Sequence, residues 1–176
     1  MNAIVVYTSK YGSTEKYAGW IAEELGCPVK RLKDVNAAEF GPYDTILYGG
    51  GLYAGNIAGF RKFQSILRCA ENKKLVLFIV GLTNPDETDA YSEIAQKCTL
   101  PAFAGQFKCF ALRGDQLFSK MNGTHRFMLR MVKSMTEKKS PAERTAEDEL
   151  FLESFGHDIL FSSKAQIGPI LDYIRA

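Results

Sequence analysis

Six residues, Ser9-Lys10-Tyr11-Gly12-Ser13-Thr14, lie between an apolar run and an amphipathic repeat, an arrangement suited to anion binding. A helix N-terminus presents unpaired N–H groups and a partial positive charge, which together favour a phosphate. Ser9, Ser13 and Thr14 add hydroxyl donors, and Gly12 lets the backbone curl around an anion. Lys10 either reinforces such binding or stands in solvent. The plainer alternative is that Ser13 or Thr14 caps the helix and the rest is a polar turn. Two nucleotide-binding patterns are excluded, because the chain has no GxxxxGK[ST] and no GxGxxG. Thr8-Ser9-Lys10 also lacks the carboxylates that a phosphoacceptor receiver of similar topology needs after its first strand.

Other reactive groups are sparse. Cys27, Cys69, Cys98 and Cys109 are scattered, without a CxxC pair, and the sequence holds two histidines, so no structural zinc is expected and the thiols read as reduced and structural. No paired carboxylates and no nucleophile–base constellation are evident.

The elements that must position the loop follow from hydrophobic patterning. Strand-length apolar runs recur at Ala3–Tyr7, Thr45–Tyr48, Leu75–Val80 and Phe107–Leu112, with Val29–Leu32 a weaker edge candidate. Their lack of alternation is typical of strands buried on both faces. Between them, Thr14, Tyr17, Ala18, Ile21, Ala22 and Leu25 share one face of a helix that Gly26 stops. Phe60, Phe63, Leu67 and Ala70 make a second stripe, and a third helix is expected over Thr88–Lys97. Strand–helix alternation predicts βαβ crossovers and a doubly wound parallel sheet, with ligands at the carboxyl ends of the strands. The loops facing them are Thr8–Thr14, Gly49–Asn56, Gly81–Thr88 and the chain from Arg113 onward. All 176 residues are expected to form one α/β domain, with an insertion at about 114–163 before a last helix over Lys164–Arg175.

"TSKYGST" at residues 8–14, "ILYGGGLYAGN" at 46–56 and "LFIVGLTNPDE" at 77–87, each after a successive strand, resemble the three flavin loops of the flavodoxin family. The resemblance implies a flavodoxin-like five-stranded sheet of order 2-1-3-4-5 that binds FMN. It places the cofactor against Ser9, Lys10, Tyr11, Gly12, Ser13 and Thr14 in the first loop, Gly51, Leu52, Tyr53, Ala54 and Gly55 in the second, and Gly81, Leu82, Thr83 and Asn84 in the third. Tyr53 is expected to stack while the glycine-rich backbone beside it approaches the ring. Electron-carrying flavodoxins usually set an aromatic in the third loop, whereas Tyr91 comes only on the following helix; one flavin face is therefore expected to be open. Asp86 and Glu87 read as solvated acids.

The stretch "FKCFALRGDQLFSKMNGTHRFMLRMVKSM", followed by "RTAEDE", resembles the insertion of the menaquinone-dependent protoporphyrinogen oxidases. The resemblance implies an FMN oxidoreductase taking electrons from a porphyrin-type substrate and giving them to a quinone, with Arg113 and the insertion's cations placed to receive acidic groups. A one-electron flavodoxin carrier serving redox partner proteins is the alternative, and a fold that has lost its flavin is a third class. Met128, Met131, Val132 and Met135 form a helical stripe flanked by Arg126, Arg130 and Lys133, suited to core packing, a partner, or peripheral contact with an anionic membrane. Asn122-Gly123-Thr124 reads as its start, and His125 as a polar helix residue. The formal charge of +2 favours no nucleic-acid role and weighs against the acidic carriers, and the first residues carry no basic leader, so the protein is expected in the cytoplasm.

Overall fold

The computed structural model describes residues 2–67, 73–87, 89–98 and 107–176. Cys69, Ala70 and Thr88 lie outside them. Five parallel strands, β1 (Ala3–Thr8), β2 (Val29–Arg31), β3 (Thr45–Tyr53), β4 (Lys74–Gly81) and β5 (Phe107–Arg113), form a sheet of order β2-β1-β3-β4-β5. This is the doubly wound parallel sheet expected from the alternation, in the flavodoxin-like order that the resemblance implies.

The pleat divides the core into two layers. Ile4, Val6, Ile46, Tyr48, Leu75, Leu77 and Ile79 face the side of α2 (Phe60–Ile66) and α3 (Ala90–Lys97), with Phe60, Phe63, Tyr91 and Cys98 packed there. Val5, Tyr7, Leu47, Val76, Phe78 and Val80 face α1 (Ser13–Leu25) and α6 (Gly168–Arg175). Each central strand therefore contributes to both layers, which is why their sequences do not alternate. β2, exposed at all three residues, is the weak edge strand expected. Gly26 ends α1 at φ 59, its N–H donating to the carbonyls of Ala22 and Glu23.

The second loop differs from expectation because β3 runs on to Tyr53 through Gly49, Gly50 and Gly51. A Cβ at Gly49 would stand 2.1 Å from the Phe78 ring, and one at Gly50 would stand 2.2 Å from the Ile57 side chain. These two glycines make room for neighbouring side chains in the sheet. The true turn is Ala54-Gly55, with φ values of 49° and 75°, after which Asn56–Ile57 pairs back on Tyr53 and Leu52. Positive φ at both central residues is what a tight two-residue hairpin requires.

Beyond β5 the chain makes the expected insertion. Gln116–Leu117 pairs antiparallel with Asp158–Ile159, and between them lie α4 (Gly123–Glu137) and α5 (Ala146–Ser154). Asn122 caps α4 by accepting the His125 N–H at 2.9 Å, as its position in the sequence implies. The last helix is split into a tight turn at Lys164–Ile167 and α6, whose Pro169 lies in the first turn, where its missing N–H breaks no helical bond. No helix among the described residues is long and apolar enough to cross a membrane.

Candidate functional site

The first loop is shaped by one backbone angle. Gly12 is the N-cap of α1 at φ 104, and no side chain caps the helix. The capping role considered for Ser13 and Thr14 is thus not what these hydroxyls do. Ser9 Oγ accepts the Gly12 N–H at 3.0 Å, which folds the loop back, and nothing lies within 4 Å of where a Gly12 Cβ would be. Ser9, Ser13 and Thr14 line a cleft of about 710 Å³, counted with its open mouth, at the carboxyl edge of the sheet.

The chain leaving β5 crosses this helix start. Gly114 donates its N–H to the Gly81 carbonyl at 2.6 Å, and a Cβ on Gly114 would meet Val80 at 2.8 Å. The Asp115 N–H then donates to Ser13 Oγ at 3.0 Å. Asp115 also lines the cleft, and its fully buried carboxylate accepts from Lys16 Nζ at 2.7 Å and from the Ser162 N–H at 2.8 Å. Burial pushes this carboxyl up, but the bonds from Lys16 and Ser162 outweigh it and hold the group below the ordinary range. The acid beside the loop is therefore ionised and neutralised by Lys16, so it does not bar an anion.

The far wall of the cleft comes from the insertion: Met121, His125, Met128 and Leu129 face Leu52, Tyr53 and Leu82 across it. His125 stacks on Tyr53 with ring centres 5.1 Å apart and planes at 22°. Tyr11 meets both rings edge-on, at 6.0 Å from Tyr53 and 5.5 Å from His125, and its hydroxyl lies 2.8 Å from His125 Nδ1. The Asn122 N–H donates to the same Tyr11 oxygen at 3.4 Å, so the Tyr11 hydroxyl ties the start of α4 to the imidazole. Burial, then the Lys10 charge, lowers the His125 pKa. His125 is thus part of the site and not simply a polar residue of its helix. The sequence signal was weak: one histidine beside a helix cap, 114 residues from Tyr11.

The family of flavodoxin domains matches residues 4–143, most of the chain. The chain belongs to the flavodoxin domain family. No curated protein sequence matches it. Among solved structures, oxidised flavodoxin 2 from Bacillus cereus is similar at 18% identity and a TM-score of 0.49, over 64% of this chain and 84% of that one. Two-electron reduced flavodoxin from Megasphaera elsdenii is similar at 21% identity and a TM-score of 0.49, over 63% and 85%. A flavoprotein in complex with FMN from Lactobacillus acidophilus is similar at 15% identity and a TM-score of 0.43, over 64% and 91%.

The remaining residues of the three loops divide between the cleft and its surroundings. Leu52, Tyr53, Ala54, Gly81 and Leu82 line the cleft; Gly55 and Thr83 open instead onto a neighbouring groove. Over Gly51, where a Cβ would meet the Tyr53 hydroxyl at 2.7 Å, Tyr53 folds back along its own strand. Asn84 Oδ1 accepts the Asp86 N–H at 3.2 Å, shaping the third loop from within. Tyr91 reaches back from α3, its buried hydroxyl donating to the Thr83 carbonyl at 2.9 Å, and burial pushes its pKa up to about 12. Lys10 is exposed, its Nζ 5.5 Å from the centre of the Tyr11 ring and 6.0 Å from that of Tyr53.

The insertion's cations are mostly committed elsewhere. Arg113 pairs with Glu147 at 2.6 Å, Arg126 donates to the carbonyls of Phe118 and Ser119, and Lys133 pairs with Glu137 at 3.3 Å. Arg130 remains exposed. The methionine stripe is not core: Met131 is 52% exposed and Met135 67%, with Phe127 and Val132 also outward, while Met128 turns to the cleft. Cys27, Cys98 and Cys109 are free thiols that burial pushes up, Cys109 to about 12, as befits unreactive packing groups.

Proposed function

We propose that this flavodoxin-family chain binds FMN and acts as a redox protein on a small-molecule reactant. The observation that carries the reading is the uncapped N-terminus of α1, held open by Gly12 at φ 104, whose hydroxyls face the same cleft that Tyr53 and α4 enclose. The first-turn N–H groups and the hydroxyls of Ser9, Ser13 and Thr14 would hold the phosphate, and Leu52, Tyr53, Ala54, Gly81 and Leu82 the ring system. Bound FMN supplies electron transfer in one- or two-electron steps. The chain's own residues would orient it and exclude water, with Met121, Met128 and Leu129 lining the cleft from the insertion's side.

The insertion's resemblance to menaquinone-dependent protoporphyrinogen oxidases extends the proposal to a porphyrin-type donor and a quinone acceptor. The cover that α4 makes over the cleft favours such a small reactant. Pairing of Arg113 with Glu147 weakens its expected role in receiving a porphyrin carboxylate. The second reading, a one-electron carrier for redox proteins, is favoured by Phe127, Met131 and Met135 exposed on α4. Peripheral membrane contact, expected through Arg126, Arg130 and Lys133, narrows to Arg130 beside that stripe.

Titration with FMN and with riboflavin, followed by flavin fluorescence, tests the cofactor. FMN is expected to bind more tightly by at least about 100-fold, the worth of two charge-assisted phosphate bonds. Equal affinities would mean that the first loop holds no phosphate. Reductive titration of the FMN-loaded protein then separates the readings: one two-electron step supports the enzyme, and two resolved one-electron steps support the carrier.

A further inference from the structure

α4 is held at its two ends and little in between. Of its 15 residues only Thr136, near the carboxyl end, is buried, while Phe127, Met131 and Met135 face solvent. The carboxyl half is anchored on α5 and its surroundings: Lys133 Nζ stands 4.9 Å from the centre of the Phe155 ring, Lys139 pairs with Asp148 at 2.7 Å, and Arg144 donates to the Glu137 carbonyl at 3.1 Å. The amino half is pinned to the sheet's edge by the Tyr11 hydroxyl at 2.8 Å from His125 Nδ1, by the Asn122 N–H on the same oxygen, and by the stack of His125 on Tyr53. Arg126 bonds only within the insertion, to the carbonyls of Phe118 and Ser119. A helix that buries so little opens at low free energy, so a single bridging bond weighs heavily on its closure.

The pin contains a side chain that titrates near neutral pH. The titratable groups facing the imidazole are Lys10 and Tyr11 from the first loop and Tyr53 from β3; Arg126 adjoins it on α4, and Asp115, across the same cleft, is committed to Lys16. Lys10 Nζ lies 5.5 Å from the centre of the Tyr11 ring and 6.0 Å from that of Tyr53, the two rings that His125 touches. A proton on His125 therefore sets a second cation against rings that already face Lys10, in a partly buried place. Burial first, and then Lys10, hold the His125 pKa below its ordinary value while α4 is closed. Closure is accordingly at full strength above the ordinary histidine value of about 6.5 and weakens as pH falls below it. We propose that Tyr11 and His125 form an acid-released latch, which holds α4 over the cofactor cleft at neutral pH and frees the mouth of the cleft as the medium acidifies. The latch rests on the protein's own contacts; its bearing on the cofactor rests on the FMN reading above.

Hydrogen exchange of the full chain, followed by mass spectrometry and corrected for the intrinsic pH dependence of exchange, reads the opening of α4 directly. Between about pH 7.5 and about pH 5.5 the protection of α4 is expected to fall by at least about threefold, with a ceiling of about tenfold for one histidine released to its ordinary pKa, while β3 and β4 keep theirs. His125→Gln retains a neutral hydrogen-bonding side chain and is expected to abolish this acid response. Tyr11→Phe keeps the ring, removes the bridging hydroxyl, and is expected to lower α4 protection about fivefold at neutral pH. In FMN-loaded protein, flavin release followed by fluorescence is expected to quicken on acidification in step with α4 opening, and not to do so in His125→Gln. Unchanged α4 protection in acid, an acid response that survives His125→Gln, or indifference to Tyr11→Phe would overturn the latch. Flavin release that ignores acid while α4 opens would overturn its role as a gate. Protein that loads no FMN refutes the cofactor reading, and the exchange result then decides the latch by itself.

Discussion

Replacing Gly12 with alanine puts the cofactor loop to its most direct test. At φ 104 a residue with a Cβ is strained by about 1–3 kcal/mol, and since no atom lies within 4 Å of the new methyl, strain is the whole steric effect. At this chain length 1 kcal/mol lowers Tm by about 2–4 °C, so Gly12→Ala should melt about 2–12 °C earlier. If the backbone relaxes to negative φ, the Ser9 Oγ bond to Gly12 N–H at 3.0 Å is lost and the first-turn N–H groups no longer converge. Two charge-assisted bonds at about 1.5 kcal/mol each amount to about 3 kcal/mol, roughly 100-fold in FMN affinity. Riboflavin, which lacks the phosphate, should lose little. Parallel FMN and riboflavin titrations on wild type and variant, with circular dichroism melts, read both effects. Equal weakening of the two flavins, or an unchanged FMN affinity in a folded variant, would refute the assignment of this loop to phosphate.

Three further outcomes follow from the geometry. Ala54 carries a positive φ of 49° in the Ala54-Gly55 turn, so Ala54→Gly should relieve strain and stabilise by about 0.5–1 kcal/mol, seen as a raised Tm. The Asp115 pKa is depressed on folding, so its contribution to stability is present above the unfolded value of about 3.9 and is lost as pH falls through the folded one. Asp115→Asn should therefore lower stability at pH 7 and flatten this part of the acid limb in pH-dependent melts; an unchanged limb would exclude the Lys16 pair as its source. His125 is likewise depressed, which makes its neutral form the one that α4 holds against Tyr53, and its contribution is lost as pH falls below about 6.5. His125→Phe should keep the stacking and remove that pH dependence, as read by melts between about pH 5 and 7.

Much of the scaffold was legible in the chain. β1, β3, β4 and β5 appear as unbroken apolar runs because both pleat faces meet helices, and β2 appears weak because it is an exposed edge. The placing of loops after the strands follows from that alternation. The glycines at 49–51 misled, because glycine marks a turn in sequence but here accommodates the Phe78 and Ile57 side chains within and beside the sheet. The methionine stripe on α4 was visible, yet helical spacing cannot say which residues meet the protein: Met128 turns to the cleft while Met131 and Met135 face solvent.

Local pattern, acting over a few residues, determined the elements of this protein, the turn at Gly12 and the hydroxyls that follow it. Only the tertiary structure decided the pairs that give the site its character: Lys16 with Asp115, 99 residues apart, Tyr11 with His125, 114 apart, and Arg113 with Glu147, 34 apart. No periodicity encodes such contacts. They arise when the insertion folds back over the carboxyl edge of the sheet, burying charges that must find partners and closing a wall over a cleft that the first five strands leave open.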